Sequence, residues 1–287
     1  MKLLRHGPRH HPRPAMLDAG GRVRDLSGVI DDLDAAALAP ASLARLARID
    51  PATLPEVAPQ TLQVPWTGMT KFVAIGLNYA DHAAESGLPV PAEPVIFMKT
   101  LECAVGACHD VVLPQGSEKT DWEVELGVVI GRRARCVGED EAMAHVAGYC
   151  VVNDVSERAF QLERGGTWDK GKGCDTFGPV GPWLVTADEV PDPQALDLWL
   201  DVNGERMQTG STRTMIFPVA RLVSEVSRYM TLNPGDLITT GTPPGVGMGR
   251  RPQPRFLRPG DVMRLGVSGL GEQCQRVVAW DPARIDA

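Results

Sequence analysis

The 287-residue chain lacks the features of three classes of protein. No stretch approaches the roughly 18 consecutive apolar residues that cross a bilayer. The short basic segment RHGPRHHPRP near the start has no apolar run behind it, as a secretory signal would need. No long basic run is present to bind phosphates, and the net charge is −7. We therefore expect a cytoplasmic protein that binds neither membranes nor nucleic acid.

Paired cysteine motifs are also missing. Six cysteines are present, none in a C-x-x-C pair or at zinc-site spacing. A chain of this length with such scattered cysteines is typical of an intracellular protein. The sequence predicts reduced, mostly buried thiols.

Short strands dominate the chain from residue 71 onward, where Gly and Pro break the sequence into segments such as KFVAIGL, EVELGVVIG and GYCVVND. Helical patterns appear only near residues 79–86, 139–146, 155–163 and 219–230, and they do not alternate regularly with strands. This arrangement disfavours a doubly wound parallel sheet. It predicts a strand-dominated α+β fold, with a mixed β-roll or sandwich.

The first 65 residues differ from the rest. A predicted hairpin, AMLDAGGRVRDLSGVI, and a helical segment precede the proline-rich PATLPEVAPQTLQVPW. Extended proline-rich chain commonly links two units. We expect a small N-terminal α+β domain with its linker at residues 1–65 and a catalytic domain at residues 66–287.

The segment KTDWEVELGVVIG places acids at alternate positions of a predicted strand, at Asp121, Glu123 and Glu125. Alternate residues share one face of a strand. Like charges this close disfavour double ionisation unless a cation lies between them. A row of acids that faces water is the simpler interpretation, and the segment alone does not decide between the two.

Asp154 ends the apolar strand AGYCVVND, directly before the helical VSERAFQLE. It either caps that helix or binds a ligand. With Glu123 and Glu125 it would supply three oxygen ligands, which hard cations such as Mg²⁺ or Mn²⁺ prefer.

Two further segments carry candidate catalytic groups. His82 and Glu85, three residues apart in GLNYADHAAESG, would share a helix face, where the carboxylate would orient the imidazole as a general base. A chance surface pair has the same spacing. Lys172, in the glycine-rich WDKGKGCDTFG, would stabilise a developing negative charge, or it is a solvated loop lysine.

Taken together, these segments resemble the fumarylacetoacetate hydrolase family from about Phe72 to the C-terminus. The matching segments include GLNYADHAAE, PVIFMKT, DWEVELGVVIG, GYCVVNDVSERAFQ, GKGCDTFGPVGP and DLITTGTPPGVG, in the family's order. The resemblance implies a mixed β-roll, a homodimer and a divalent metal, Mg²⁺ or Mn²⁺.

The resemblance also assigns roles to individual residues. It implies metal ligands at Glu123, Glu125 and Asp154, with Asp121 as a nearby acid and not a ligand. It implies a base at His82 with Glu85, an active-site lysine at Lys172, and substrate contacts at Gln161 and Thr242. Arg164 and Trp168 are candidates for contact with the acyl group of the substrate.

The activity implied is metal-dependent hydrolysis of a carbon–carbon bond in a 2,4-dioxo acid, giving pyruvate and a carboxylic acid. The substrate would be an acylpyruvate or a 2,4-diketo-3-deoxy sugar acid. The chain is similar to a bacterial-type branch that includes hydrolases of L-rhamnonate- and L-fuconate-derived acids and proteins labelled ureidoglycolate lyase. Ureidoglycolate lyase, hydroxyheptadienedioate isomerase and oxaloacetate decarboxylase activities are therefore the alternatives.

Overall fold

Mixed β-sheets dominate the structure, a computed structural model that describes residues 1–85, 89–281 and 283, with the side chains of residues 82–84 left out. In that part of the chain the strands are, in order, β1 (Lys2–His6), β2 (Arg13–Leu17), β3 (Val23–Asp25), β4 (Phe72–Gly76), β5 (Val95–Lys99), β6 (Ala104–Gly106), β7 (Val111–Val112), β8 (Thr120–Asp121), β9 (Val124–Ile130), β10 (Val146–Asn153), β11 (Ser156–Glu157), β12 (Gly178–Thr186), β13 (Asp197–Val202), β14 (Glu205–Ser211), β15 (Leu237–Thr239), β16 (Val262–Val267) and β17 (Gly271–Val278). The α-helices are α1 (Pro40–Leu46), α2 (Ala80–Glu85), α3 (Glu139–Ala142), α4 (Arg158–Leu162), α5 (Asp169–Lys172) and α6 (Val219–Tyr229). Strands prevail and helices do not alternate with them, so the predicted fold class is confirmed.

Three sheets organise these strands. The largest runs β3-β2-β1-β12-β10-β9-β15-β4-β5, with β6 paired to β12. A second runs β14-β13-β16-β17-β7, and β8 pairs with β11. Strand β9 lies in the middle of the large sheet and is buried on both faces, which explains its nearly continuous apolar sequence. The acidic strand predicted from the sequence therefore lies deep inside the molecule.

The N-terminal segment joins the large sheet directly. Strand β1 pairs antiparallel with β12, with Leu3 opposite Leu184. Leu26 and Leu46 belong to the same apolar cluster as the central strands. Residues 1–65 thus pack on the sheet that carries the site, and the domain boundary at residue 65 stays a prediction.

The described helices are short, and none is long and apolar enough to cross a membrane. All six cysteines are free. Only Cys103 and Cys150 are buried, while Cys108, Cys136 and Cys274 are exposed, so the expectation of mostly buried thiols is wrong. Cys274 illustrates the reason, because it occupies an outward position of the alternating strand β17.

Asp236 fastens the start of β4 to β15. Its buried carboxylate accepts hydrogen bonds from the backbone N–H groups of Thr70, Lys71 and Asn233, at 2.9, 2.8 and 2.7 Å. We expect Asp236→Asn to lower the free energy of unfolding by about 2–4 kcal/mol, because an amide cannot accept all of these bonds and loses the charge that strengthens them. Denaturant unfolding measures this. The same change at exposed Asp188 should stay within about 0.5 kcal/mol, and an equal loss at both positions would contradict this account.

Candidate active site

Three buried carboxyl groups meet at the junction of β9 and β10. The antiparallel pairing places Val124 opposite Asn153, so that the next pair is Glu123 and Asp154. The backbone N–H of Asp154 donates to the carbonyl of Glu123 at 2.9 Å. One carboxylate oxygen from each of Glu123, Glu125 and Asp154 lies within 4.8 Å of the others. The register of two strands thus assembles the predicted acidic group, which could hold a metal ion.

Two lysines compensate part of this charge. The Lys172 ammonium lies 2.6 Å from Glu123 Oε2 and 2.7 Å from Asp154 Oδ2. Lys99, at the end of β5, donates to the other oxygen of Asp154 at 2.6 Å and also to the carbonyl of Lys172. Burial, the largest single effect, lowers the pKa of Lys99, but Asp154 and its other neighbours together outweigh burial, and the net shift is upward. The Lys99 ammonium therefore stays charged inside the protein.

Arg158, the first residue of α4, connects the acids on the other side. Its Nη2 donates to Glu123 at 2.6 Å, its Nε to Asp121 at 2.9 Å, and its Nη1 to the side-chain oxygen of Gln161 at 3.1 Å. Burial opposes the charge of Arg158, yet Glu123 and Asp121 raise its pKa. Gln161 is thereby held in place beside the acids.

Asp121 lies outside the acidic group. It belongs to β8, which ends before β9 begins at Val124, so the predicted continuous strand is interrupted at residues 122 and 123. Its carboxylate accepts from the backbone N–H groups of Gly247 and Met248, at 2.6 and 3.0 Å. Asp121 therefore anchors the loop that contains Gly247 and Met248, called the C-terminal loop below, and its role as a nearby acid that is not a ligand stays a prediction.

The surroundings of Glu125 disfavour its ionised form. Burial, followed by the charges of Asp154 and Glu123, raises its pKa well above the ordinary value. One of its oxygens accepts from Thr239 Oγ1 at 2.5 Å and from Gly241 N at 2.8 Å, which fixes the carboxyl group. Such a group stays ionised at neutral pH most readily when a cation joins the cluster. The donor set, all hard oxygens, fits Mg²⁺ or Mn²⁺.

Thr242 lies in the loop that follows β15. Its hydroxyl donates to the carbonyl of Val124 at 2.9 Å and accepts from Gln208 Nε2 at 2.8 Å. Gln208 also accepts from the backbone N–H of Val124 at 3.0 Å. Through Gln208, strand β14 ties this loop to the start of β9.

The predicted base lies on α2. The Glu85 carboxylate faces the C-terminal loop, where it accepts from the Gly245 N–H at 3.1 and 3.2 Å. A Cβ atom added at Gly249 would lie 2.7 Å from the Glu85 carboxyl carbon, so glycine permits this approach. The side chain of His82 lies outside the described atoms, and its pairing with Glu85 stays a prediction.

A cavity of about 290 Å³ opens against these groups. Its polar wall contains Glu123, Glu125, Arg158, Gln161, Lys172 and Thr242, and its apolar wall contains Ile75, Leu77, Phe97, Leu162, Trp168 and Met248. Trp168 thus lies where the sequence predicts. Arg164 is not among the lining residues that the structure describes: its exposed guanidinium lies 5.2 Å from the centre of the Phe160 ring.

Sequence reasoning missed Lys99, Arg158 and Gln208 as members of the site. For two of them, the sequence itself contains an indication. Lys99 ends the apolar strand VIFMK, and Arg158 follows Asp154 by four residues. A buried cation is costly unless an acid pairs with it, so both were candidates to neutralise the predicted acids.

The ion-paired groups around the acidic group carry an excess of one negative formal charge. Four carboxylates, Asp121, Glu123, Glu125 and Asp154, face three cations, Lys99, Arg158 and Lys172. A divalent cation would change this balance to one positive charge.

Comparisons with known sequences show similarity over most of the chain. Residues 71–278 match the family model described as fumarylacetoacetate (FAA) hydrolase, C-terminal. A relative from Burkholderia cenocepacia, named only as a candidate hydrolase, is 61% identical over 277 residues, which cover 96% of this chain and 98% of the relative.

Solved structures show the same fold. The 2-hydroxyhepta-2,4-diene-1,7-dioate isomerase of Mycobacterium marinum is 32% identical with a TM-score of 0.75, over 97% of this chain and 98% of that one. The maleylpyruvate hydrolase of Sphingobium sp. SYK-6, solved with manganese(II) and pyruvate, is 27% identical with a TM-score of 0.81, over 98% and 100% of the two chains.

Proposed function

Because the chain belongs to the fumarylacetoacetate hydrolase family, we propose that it hydrolyses a carbon–carbon bond of a 2,4-dioxo acid to pyruvate and a carboxylic acid. The substrate would be an acylpyruvate or a 2,4-diketo-3-deoxy sugar acid. The observation that carries the proposal is the buried group of Glu123, Glu125 and Asp154, in direct contact with the Lys172 ammonium at a cavity wall.

Glu123, Glu125 and Asp154 would hold Mg²⁺ or Mn²⁺, which supplies a Lewis acid for the 2-oxo acid end of the substrate. The manganese and pyruvate of the maleylpyruvate hydrolase support this assignment. The fixed oxygens of Glu125 and the bonds from Arg158 to Glu123 keep the ligand oxygens in place before substrate binds. Gln161 and Thr242 would contact the oxo acid.

The chain's own residues would carry the proton and charge transfers. His82, oriented by Glu85, would take a proton from water, and the hydroxide would add to the C4 carbonyl of the substrate. The C3–C4 bond then breaks, so that C4 leaves as a carboxylic acid and the electron pair passes to the enolate of pyruvate. The Lys172 ammonium would stabilise the enolate oxygen, and protonation at C3 completes pyruvate.

The test is an assay for pyruvate from a panel of 2,4-dioxo acids, with Mg²⁺ and then with EDTA. We expect pyruvate and a matching carboxylic acid in equal amounts with the metal, and a loss of at least about 100-fold in rate with EDTA. Activity that survives removal of the metal would contradict the role of the three carboxylates.

Isomerisation is the second candidate, because the relative from Mycobacterium marinum is named as an isomerase. It requires the same stabilised enolate but no water, so it would give no pyruvate. Decarboxylation and ureidoglycolate cleavage would be recognised by carbon dioxide and glyoxylate. A homodimer stays a prediction that sedimentation would test.

A further inference from the structure

The cavity is divided between a polar wall and an apolar wall, and this division bears on the acyl group of the substrate. The Phe97 ring centre lies 5.3 Å from the Lys172 ammonium and 5.3 Å from the Trp168 ring centre. Trp168 in turn covers Gly76, where an added Cβ atom would lie 2.3 Å from the indole ring. An aromatic surface therefore runs from the acids along one side of the cavity.

Three of the polar residues that line the cavity already donate to acceptors within the protein. Arg158 donates to two carboxylates and to Gln161, and Lys172 donates to two carboxylates. Thr242 donates to a backbone carbonyl. The apolar wall adds one N–H donor, the indole of Trp168. A polyhydroxylated acyl group there would bury hydroxyl groups with too few partners, which is costly.

A second carboxylate on the acyl group would meet no cationic side chain on the apolar wall that the structure describes. The nearby cations of the loop point elsewhere: Arg164 lies over Phe160, and the Lys170 ammonium donates to the carbonyl of Arg164 at 2.7 Å. A buried, unpaired carboxylate binds poorly in such a cavity.

We propose that the acyl group of the substrate is short, uncharged and apolar, so that the enzyme acts on simple acylpyruvates in preference to sugar acids or dicarboxylic acids. This inference rests on the proposed function, whose oxo-acid end occupies the polar wall. The apolar wall then excludes water from the acyl chain, and each methylene group that it covers contributes to binding.

Four matched substrates test the proposal through kcat/KM with Mg²⁺. Three have seven carbons: 2,4-dioxoheptanoate, 5,6-dihydroxy-2,4-dioxoheptanoate and 2,4-dioxoheptanedioate; the fourth is 2,4-dioxopentanoate. We expect 2,4-dioxoheptanoate to exceed 2,4-dioxopentanoate by about 10-fold, as two buried methylene groups predict. It should exceed the dihydroxy acid by about 10-fold or more and the dioate by about 100-fold.

Two variants test whether the apolar wall of the cavity determines this substrate preference. Trp168→Ala should lower kcat/KM for 2,4-dioxoheptanoate by about 10-fold and leave that for 2,4-dioxopentanoate within about twofold. Leu162→Arg, which places a cation at a half-exposed position of the apolar wall, should raise kcat/KM for the dioate by about 10-fold. Trp280→Ala, at a partly exposed tryptophan outside the cavity lining, is the control and should change neither ratio.

The outcomes separate this inference from the proposed function. A higher kcat/KM for the dihydroxy acid or the dioate would overturn the inference and leave the hydrolase standing. No pyruvate from any substrate would overturn the proposed function itself. The wild-type ranking needs no variant, so it decides the matter even if Trp168→Ala fails to fold.

Discussion

Glu125→Gln should abolish metal binding at millimolar Mg²⁺ and lower kcat/KM for pyruvate release by about 1,000-fold or more. Thr239 and Gly241 both donate to Glu125 Oε2, so the amide must turn its oxygen toward them. The NH₂ group would then replace the other carboxylate oxygen, and the acidic group would lose one oxygen and one negative charge. Isothermal titration with Mg²⁺ and the pyruvate assay measure the two losses.

The same variant should not weaken the metal-free fold. Burial and two neighbouring carboxyl groups raise the pKa of Glu125. A raised carboxyl pKa means that ionisation at neutral pH costs folding free energy, and the neutral amide removes that cost. We therefore expect the melting temperature of Glu125→Gln in EDTA to equal or exceed that of the wild type. Only the wild type should gain melting temperature on addition of Mg²⁺.

The control is Glu141→Gln, on exposed helix α3, which should bind Mg²⁺ as the wild type does. If Glu125→Gln retained Mg²⁺ affinity within about threefold, the acidic group would not be the metal site. A lowered melting temperature in EDTA would instead assign Glu125 to the fold.

Local sequence patterns were sufficient to predict the acidic group but not its surroundings. The alternation of strand residues predicts a shared face for Glu123 and Glu125, and the antiparallel register of β9 and β10 adds Asp154. The predicted strand itself breaks after Asp121, where β8 ends, although Asp121 and Glu123 still contact the same side chain, Arg158. That break depends on the pairing of β8 with β11, a contact between distant segments.

The positions of the cations in the site depend on packing between elements that are distant in the sequence. Lys99 comes from β5, and its contact with Asp154 depends on how β5 and α5 pack, which no local period encodes. Arg164 stays a prediction: its charge made it a candidate for substrate binding, and after α4 ends at Leu162 the loop places its guanidinium over Phe160. Composition thus identifies the chemistry of the site, whereas packing decides which charged groups take part.

Lys172→Met should lower kcat by about 100- to 1,000-fold, the range for loss of one donor to a developing oxyanion. It should also raise the affinity for Mg²⁺ several-fold, because the ammonium contacts Glu123 and Asp154 at 2.6 and 2.7 Å and competes with a cation for the same oxygens. Activity and metal affinity thus move in opposite directions, a result that simple unfolding cannot produce.

Lys170→Met, on the same helix α5, is the matched control. Its exposed ammonium donates to the carbonyl of Arg164 and contacts none of the carboxylates that the structure places in the site. We expect its kcat and its Mg²⁺ affinity to stay within about twofold of the wild type. If Lys172→Met instead lowered Mg²⁺ affinity, the lysine would support the geometry of the carboxylates; if kcat did not change, it would have no part in stabilising the enolate. Opposite changes in the two quantities would place its positive charge at the reacting atoms.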